Sequence, residues 1–363
     1  MKKKDKKVRV LFLAEELRVG GAETYFYRLE SMIDRTQVGF FSMAVPSGNE
    51  SKLAFPQLFV PYTFSLVNRV KTIVRFLGER EVDVIHANSL RLCFAAIVAK
   101  VFSKSDFQLV YTKHNITKIE SMGSKPLVWF INHCVDALVP ICETDESLLI
   151  SQGVKKDLVH RINNGVDLDR FMFRQRFPLR EDRVYRIGIL ARLSPEKRHD
   201  LFLEVARQFH LLHSKSAFLI GGDGPEYAKI TQIIEDSDLA KCVSMLGKVE
   251  ASAFLDDIDA LLLVSDREVM PMSILEGMAS GCAIIARAVG GVGDVVREDT
   301  GTLVQGSQAD IYVRALERVY KDRDYASKTT NARALVEREY SLAKALEQHV
   351  DLYYAIVGCG GMR

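Results

Sequence analysis

Short runs of β-branched and apolar residues alternate with segments of helical periodicity, and they do so in two successive series. The first series predicts strands over Val8–Leu13, Gly39–Val45, Val82–His86, Gln108–Thr112, Ala137–Ile141 and Leu158–Ile162. The second predicts strands over Tyr185–Leu190, Ala217–Ile220, Val243–Leu246, Ala260–Val264, Ala283–Ala286 and Gly301–Val304. Strands separated by helical segments of about 10–15 residues form βαβ units and parallel sheets. The expected fold class is α/β, with two Rossmann-like, doubly wound domains facing across a cleft. A chain of 363 residues is too long for one compact core and suits two domains. Phe171–Arg183, rich in Arg and holding Pro178, reads as the linker. The expected boundaries are 1–171, 184–340, and a terminal helix over 341–363.

Composition narrows the function. The net charge of +2 argues against a nucleic-acid footprint. The six cysteines show no Cys-x-x-Cys spacing, which points to a reducing compartment without disulfides or a zinc site. The basic start Met1–Lys7 precedes only a short apolar run, Val8–Ala14, and then Glu15-Glu16. That reads as a first strand and not as a signal sequence. No stretch reaches about 18 uncharged apolar residues, so no membrane span is expected. The expected location is the cytoplasm, peripheral at the inner face of the membrane.

Ligands of open α/β sheets bind outside the carboxyl ends of the strands, and the motifs fall there. Glu268 follows the run Ala260–Val264, and Glu276 lies eight residues on, in a helix starting near Met272. The intervening Met270, Pro271, Met272 and Ser273 belong to a loop and helix start whose free N–H groups favour an anion. A carboxylate there suits hydroxyls, since it accepts two hydrogen bonds from a sugar diol. One carboxylate per sugar with a phosphate between them describes a nucleotide-sugar; taken alone, the pair better fits two solvated glutamates flanking a turn, and the rest of the chain changes that. Arg192 and Lys197 bracket a helix start that Ser194 caps and Pro195 opens, a diphosphate clamp without metal. Gly222 and Asp223, in Gly221–Glu226, form a glycine-dense loop fit for close approach to a base or ribose. Gly290-Gly291 forms another backbone-lined loop. Gly20 and Gly21 open the first helix and let backbone come close to a ligand or to a neighbouring chain. His114 stands just past Gln108–Thr112, at the catalytic edge. Asn163–Asp167 has a left-handed-turn signature suited to chain reversal. Asp257 and Asp259 mimic a metal-binding Asp-x-Asp, but enter their strand from the wrong edge, so no metal ligand is expected.

As an ordered set these residues resemble the family 4 glycosyltransferases, which have the GT-B fold. The motifs that carry the resemblance are Gly20-Gly21-Ala22-Glu23, His114, Asn164–Asp167, Arg192–Lys197, Gly222–Pro225 and Glu268–Glu276. The resemblance implies sugar transfer from a nucleotide-sugar with retention of anomeric configuration, a donor held mainly by the second domain, and no metal or other cofactor. It implies that Arg192 and Lys197 hold the diphosphate and Glu276 the donor ribose. The resemblance also implies that Glu268 faces hydroxyls of the transferred sugar and that His114 sits beside its anomeric region. It further implies that Leu342–Val357 packs back on the first domain. The chain departs from the family pattern at Val269, Ala191, Ala283 and Asp294, and Val269 leaves the backbone path past Glu268 open.

The acceptor is less readable. Asn68–Arg80 interleaves Arg69, Lys71, Arg75 and Arg80 with apolar residues at helical spacing. With Lys2–Lys7 it offers contact to an anionic membrane, which favours a lipid-linked or glycan acceptor in cell-surface polysaccharide synthesis. The alternatives are a GT-B-like sugar-nucleotide epimerase and a non-catalytic two-lobed sugar-binding protein.

Overall fold

The computed structural model describes residues 7–17, 21–114, 124–177, 183–322 and 325–359. The chain divides into two compact units, Met1–Asn164 with Leu342–Arg363, and Gly165–Ser341.

The first unit holds β1 (Val8–Glu16), β2 (Val38–Val45), β3 (Phe59–Pro61), β4 (Val84–Ala87), β5 (Gln108–Lys113) and β6 (Ala137–Pro140). The strands run parallel in the order β3-β2-β1-β4-β5-β6, so the winding reverses between β1 and β4. A parallel sheet is covered on both faces, so its inner strands read as unbroken apolar runs. Residues 10–13 of β1 are fully buried and alternate between two cores. Leu11 and Leu13 meet Ile73 and Phe76 of α2 (Leu66–Glu79), Leu92 of α3 (Leu90–Ser103) and Ile131 of α4 (Ser124–Cys134). Val10 and Phe12 meet Phe26 and Leu29 of α1 (Gly21–Met32). After β6 comes α5 (Glu143–Ser151).

The second unit repeats the plan with β7 (Tyr185–Leu190), β8 (Ser216–Gly221), β9 (Val243–Gly247), β10 (Ala260–Leu263), β11 (Ala283–Arg287) and β12 (Thr302–Val304). Its parallel order is β12-β11-β10-β7-β8-β9, which puts the reversal between β7 and β10. Around the sheet lie α6 (His199–Leu212), α7 (Tyr227–Glu235), α8 (Ala251–Asp257), α9 (Met272–Ser280), α10 (Val292–Val295), α11 (Ala309–Lys321) and α12 (Tyr325–Glu339). The chain then returns to the first unit as α13 (Leu342–Cys359), whose Val350, Leu352, Tyr353 and Ile356 complete the core on the α1 side.

Several expectations change. Leu158–Ile162 is not a regular strand: Lys156–Leu158 is a single 3-10 turn, and only Val159 bridges Leu138. His160 and Ile162 donate to the carbonyls of Leu138 and Pro140, but Pro140 has no N–H with which to extend the ladder. Gly165 does not take a left-handed conformation, and neither does Asn164. The segment is held by Val166, whose N–H donates to the Tyr340 carbonyl at 2.8 Å. The start of the expected linker packs into the second unit, where Phe171 and Phe177 are buried and the Arg176 guanidinium donates to the carbonyls of Leu255 and Ser280. Residues 178–182 lie outside the described residues. Among the described residues no helix is long and apolar enough to cross a membrane, and the described cysteines are free.

Candidate active site

In the second unit four strand-end loops converge at the point where the winding reverses. The loop after β7 does not open an α-helix, contrary to the sequence reading. Pro195–Lys197 is one 3-10 turn, Ser194 makes no cap bond to backbone, and its hydroxyl donates to Glu196 Oε1 at 2.6 Å. Arg198 takes a left-handed φ of 53°, which separates this turn from α6. Arg192 and Lys197 therefore flank a tight turn, ahead of the helix and not at its start.

This turn is tied to the loop after β10. The Asp266 N–H donates to the Glu196 carbonyl at 2.8 Å, and Lys197 Nζ lies 2.6 Å from Glu268 Oε1. Glu268 keeps 7% of its side chain exposed and Lys197 20%. The two expected site residues, 71 positions apart, thus form one largely buried ion pair. Arg192 is exposed, and among the described residues its guanidinium makes no ion pair or hydrogen bond. Beyond Glu268, Met270 and Pro271 are buried, while Met272 and Ser273 open α9 half-exposed. Glu276 sits one turn into α9 and is 8% exposed.

The path past Glu268 is fixed from the loop after β11. The Gly291 N–H donates to the Val269 carbonyl at 2.9 Å. Gly290 has a φ of +52°, and a Cβ there would lie 1.7 Å from the Glu268 carbonyl oxygen. Glycines 222 and 224 likewise serve the protein's own backbone. A Cβ on Gly222 would meet the Ala191 oxygen at 1.9 Å, and one on Gly224 the Leu193 oxygen at 2.4 Å. Leu193 N–H to the Asp223 carbonyl and Glu226 N–H to the Leu193 carbonyl join the loops. The expectation of glycines cleared for a base or ribose is corrected at those two positions: the space they leave is taken by the Ala191–Leu193 backbone. Asp223 is exposed, and one of its carboxylate oxygens accepts from the Gly224 N–H.

Asp259 lies buried at the opposite end of β10, held by Arg183 at 2.9 Å and by the Arg186 N–H, and Asp257 pairs with Arg186. Among the described residues no group of three or more His, Cys, Asp or Glu side chains is placed to hold a metal ion.

In the first unit His114 follows β5 directly and is 8% exposed. Burial, aided by the nearby His349, pushes its pKa down to about 3, so the ring is neutral at physiological pH. Its Nε2 has no hydrogen-bond partner among the described residues. A neutral imidazole offers one donor and one acceptor and brings no charge. Gly21 opens α1; Gly20 lies outside the described residues.

Other residues at these strand ends escaped the sequence reading. Glu15 bonds Arg69 at 2.7 Å and accepts from the Ser89 hydroxyl at 2.6 Å. Lys113 and Asp145 form a buried ion pair of 2.6 Å, and Asn88 is buried beside the reversal between β1 and β4. The available signal was position alone, because Glu15, Asn88 and Lys113 each end or follow a strand. Arg69 also corrects an expectation: it is 3% exposed and lies against the rings of Tyr62 and Phe64. It is therefore not a membrane-facing cation, whereas Lys71, Arg75 and Arg80 are exposed.

Comparison with known proteins identifies the family and the fold. Residues 19–170 match the model of Glycosyltransferase Family 4, and residues 171–335 that of Glycosyl transferases group 1. A phosphatidylinositol N-acetylglucosaminyltransferase component of Arabidopsis thaliana is 26% identical over 337 residues, covering 86% of this chain and 74% of that protein. N-acetyl-alpha-D-glucosaminyl L-malate synthase of Bacillus anthracis is 24% identical over 362 residues, covering 95% and 92%. The structure of Anabaena Alr3699/HepE in complex with UDP and glucose superposes with a TM-score of 0.82 at 19% identity, over 96% of this chain and 100% of that one. The two family models together take in most of the sequence, and the chain belongs to the family 4 glycosyltransferases, with the GT-B fold.

Proposed function

We propose that the protein transfers a sugar from a nucleotide-sugar to an acceptor hydroxyl with retention of anomeric configuration. The observation that carries this reading is the Lys197–Glu268 pair at the reversal between β7 and β10. An ammonium has three N–H donors. One goes to Glu268, leaving others for a diphosphate oxygen, with Arg192 as the second cation. Glu268 has a second oxygen with which to accept from the transferred sugar's hydroxyls. As the sugar–phosphate bond breaks, charge grows on the diphosphate, and Lys197, preorganised by Glu268, stabilises it together with Arg192. The acceptor hydroxyl attacks from the same face, and the departing phosphate oxygen takes its proton. His114, neutral, is assigned to hydrogen bonding near the anomeric carbon.

Glu276 is assigned to the donor ribose. A charge-assisted hydrogen bond contributes roughly 1.5–3 kcal/mol, so Glu276→Ala is expected to raise the dissociation constant for a nucleoside diphosphate at least about tenfold. An unchanged affinity by calorimetry removes Glu276 from the ribose.

We propose further that turnover needs no metal, since Lys197 and Arg192 supply the positive charge. Activity is expected to persist in EDTA; loss in EDTA with recovery in manganese overturns this.

For the acceptor we favour a lipid-linked glycan at an anionic inner membrane face, in cell-surface polysaccharide synthesis. In support, Phe64, Leu66 and Val67 are exposed at the start of α2 beside the exposed Lys71 and Arg75, a pairing of apolar and basic side chains suited to a bilayer surface. The Arabidopsis relative is named for a phosphatidylinositol acceptor, the Bacillus relative for L-malate. The test incubates the protein with a panel of nucleotide-sugars, UDP-sugars first, with and without membrane lipid extract. Nucleoside diphosphate release that depends on the extract supports transfer to a lipid. Equal release in its absence, or an epimerised sugar, sinks that reading.

A further inference from the structure

We infer that the last helix of the chain positions His114: His349 on α13 and Tyr25 on α1 act as positioning residues for it, an inference that rests on the reading of His114 as a participant in transfer. The starting point is a chain of buried hydrogen bonds whose direction can be worked out from one end. His349 Nδ1 lies 2.6 Å from the Ala345 carbonyl oxygen. A carbonyl only accepts, so Nδ1 carries the hydrogen, and in a neutral ring Nε2 is then an acceptor. Burial pushes the His349 pKa down to about 4, which keeps the ring neutral. The Tyr25 hydroxyl bonds that Nε2 and must therefore donate to it. The Tyr25 oxygen is left to accept from the Thr112 hydroxyl at 3.3 Å. Thr112 accepts in turn from His86 Nε2 at 2.6 Å, and His86 Nδ1 accepts from the Tyr353 hydroxyl at 2.6 Å. The bonds run one way, from Tyr353 through His86, Thr112, Tyr25 and His349 to the helix carbonyl. His86, Thr112, His349 and Tyr353 are fully buried, and Tyr25 is 8% exposed.

The Tyr25 ring stands edge-on to the His114 ring, with centroids 4.6 Å apart and planes at 68°. His114 Nε2 has no hydrogen-bond partner among the described residues, so that nitrogen does not fix the ring's orientation. Among the described residues the ring contact of His114 is with Tyr25, and Tyr25 is itself fixed at its hydroxyl by α13. A hydrogen-bonded chain with every donor used is stiff, because turning one member breaks two bonds. His114 therefore inherits its placement from a helix at the far end of the sequence.

The test compares His349→Leu, His349→Gln and Tyr25→Phe. Glutamine keeps an acceptor for the Tyr25 hydroxyl; phenylalanine keeps the ring against His114 and removes only the hydroxyl, so it guards against failure to fold. With histidine-labelled protein, the ring resonances of His114, assigned through His114→Ala, are expected to shift or broaden in His349→Leu and Tyr25→Phe. In His349→Gln they are expected to stay near their original positions. With saturating substrates kcat is expected to fall roughly 10- to 100-fold in the first two variants, as for a catalytic group misplaced by about an ångström, with donor KM within about twofold. Unchanged His114 resonances in folded His349→Leu, or a glutamine variant no better than the leucine one, overturn the inference. Full activity in His114→Ala overturns instead the role given to His114, while the resonances still decide whether α13 positions it.

Discussion

Lys197→Ala is expected to lower turnover at saturating donor by about 100- to 1,000-fold, the usual cost of removing one group aimed at charge that develops in the transition state. An interaction that strengthens as the bond breaks is felt in the rate more than in ground-state affinity. The donor dissociation constant is therefore expected to change far less than kcat. Two things make Lys197 the more sensitive of the two cations. It is largely shielded from solvent while Arg192 is exposed, and its loss leaves the Glu268 carboxylate buried without its counter-ion. Lys197→Arg is expected to be poor as well, because a larger planar guanidinium cannot take the place of a compact ammonium held against Glu268. Rapid-quench turnover alongside a thermal melt separates lost chemistry from lost folding. Near-normal kcat in Lys197→Ala moves the diphosphate clamp elsewhere.

The second large effect is mechanical. Gly222→Ala is expected to destabilise the second unit by about 2–6 kcal/mol, combining backbone strain of roughly 1–3 kcal/mol with overpacking of similar size. Gly222 has a φ of +139°, and the added methyl would fall 1.9 Å from the Ala191 oxygen. Neither the residue's own backbone nor its neighbour can move cheaply, since Ala191 N–H bonds the Gly221 carbonyl and Gly222 N–H the Gly247 carbonyl. The loop bearing Arg192 and Lys197 would shift, so donor affinity should weaken in the same variant. Calorimetric melting is the check; a midpoint within about 2 °C of the parent would mean the loops have more freedom than the contacts imply.

The sheet strands were largely legible because buried parallel strands carry long apolar runs, as at Tyr185–Leu190, where the sequence boundaries match the structure. Phe59–Pro61 was not legible: it is three residues long, ends in proline, and pairs only with β2. Leu158–Ile162 looked like a strand because burial of Leu158 and Ile162 leaves the same apolar mark. Arg192, Lys197, Glu268 and Glu276 were singled out because each lies in a strand-end loop or at a helix start. That Lys197 and Glu268 bond each other was hidden, since nothing local links residues separated by three strands. The glycines at 222 and 224 showed the need for space, but only the fold showed what fills it. Tyr25, His86 and His349 could not be connected from sequence, each being an ordinary polar residue within an apolar pattern.

The return of α13 to the first unit has a consequence for synthesis. Gly165–Ser341 is translated between β6 and α13. At about 5–20 residues per second this interval lasts roughly 10–35 s. Throughout it β4, β5 and α1 exist without their last partners. His86 then lacks Tyr353, Tyr25 lacks His349, and the apolar face formed by Val10, Phe12 and Val84 lacks Leu352 and Ile356. A nascent chain released early would thus be unfinished at His114 however well its two sheets had formed. Emergence of α13 is itself the step that completes the packing around Tyr25 and His86.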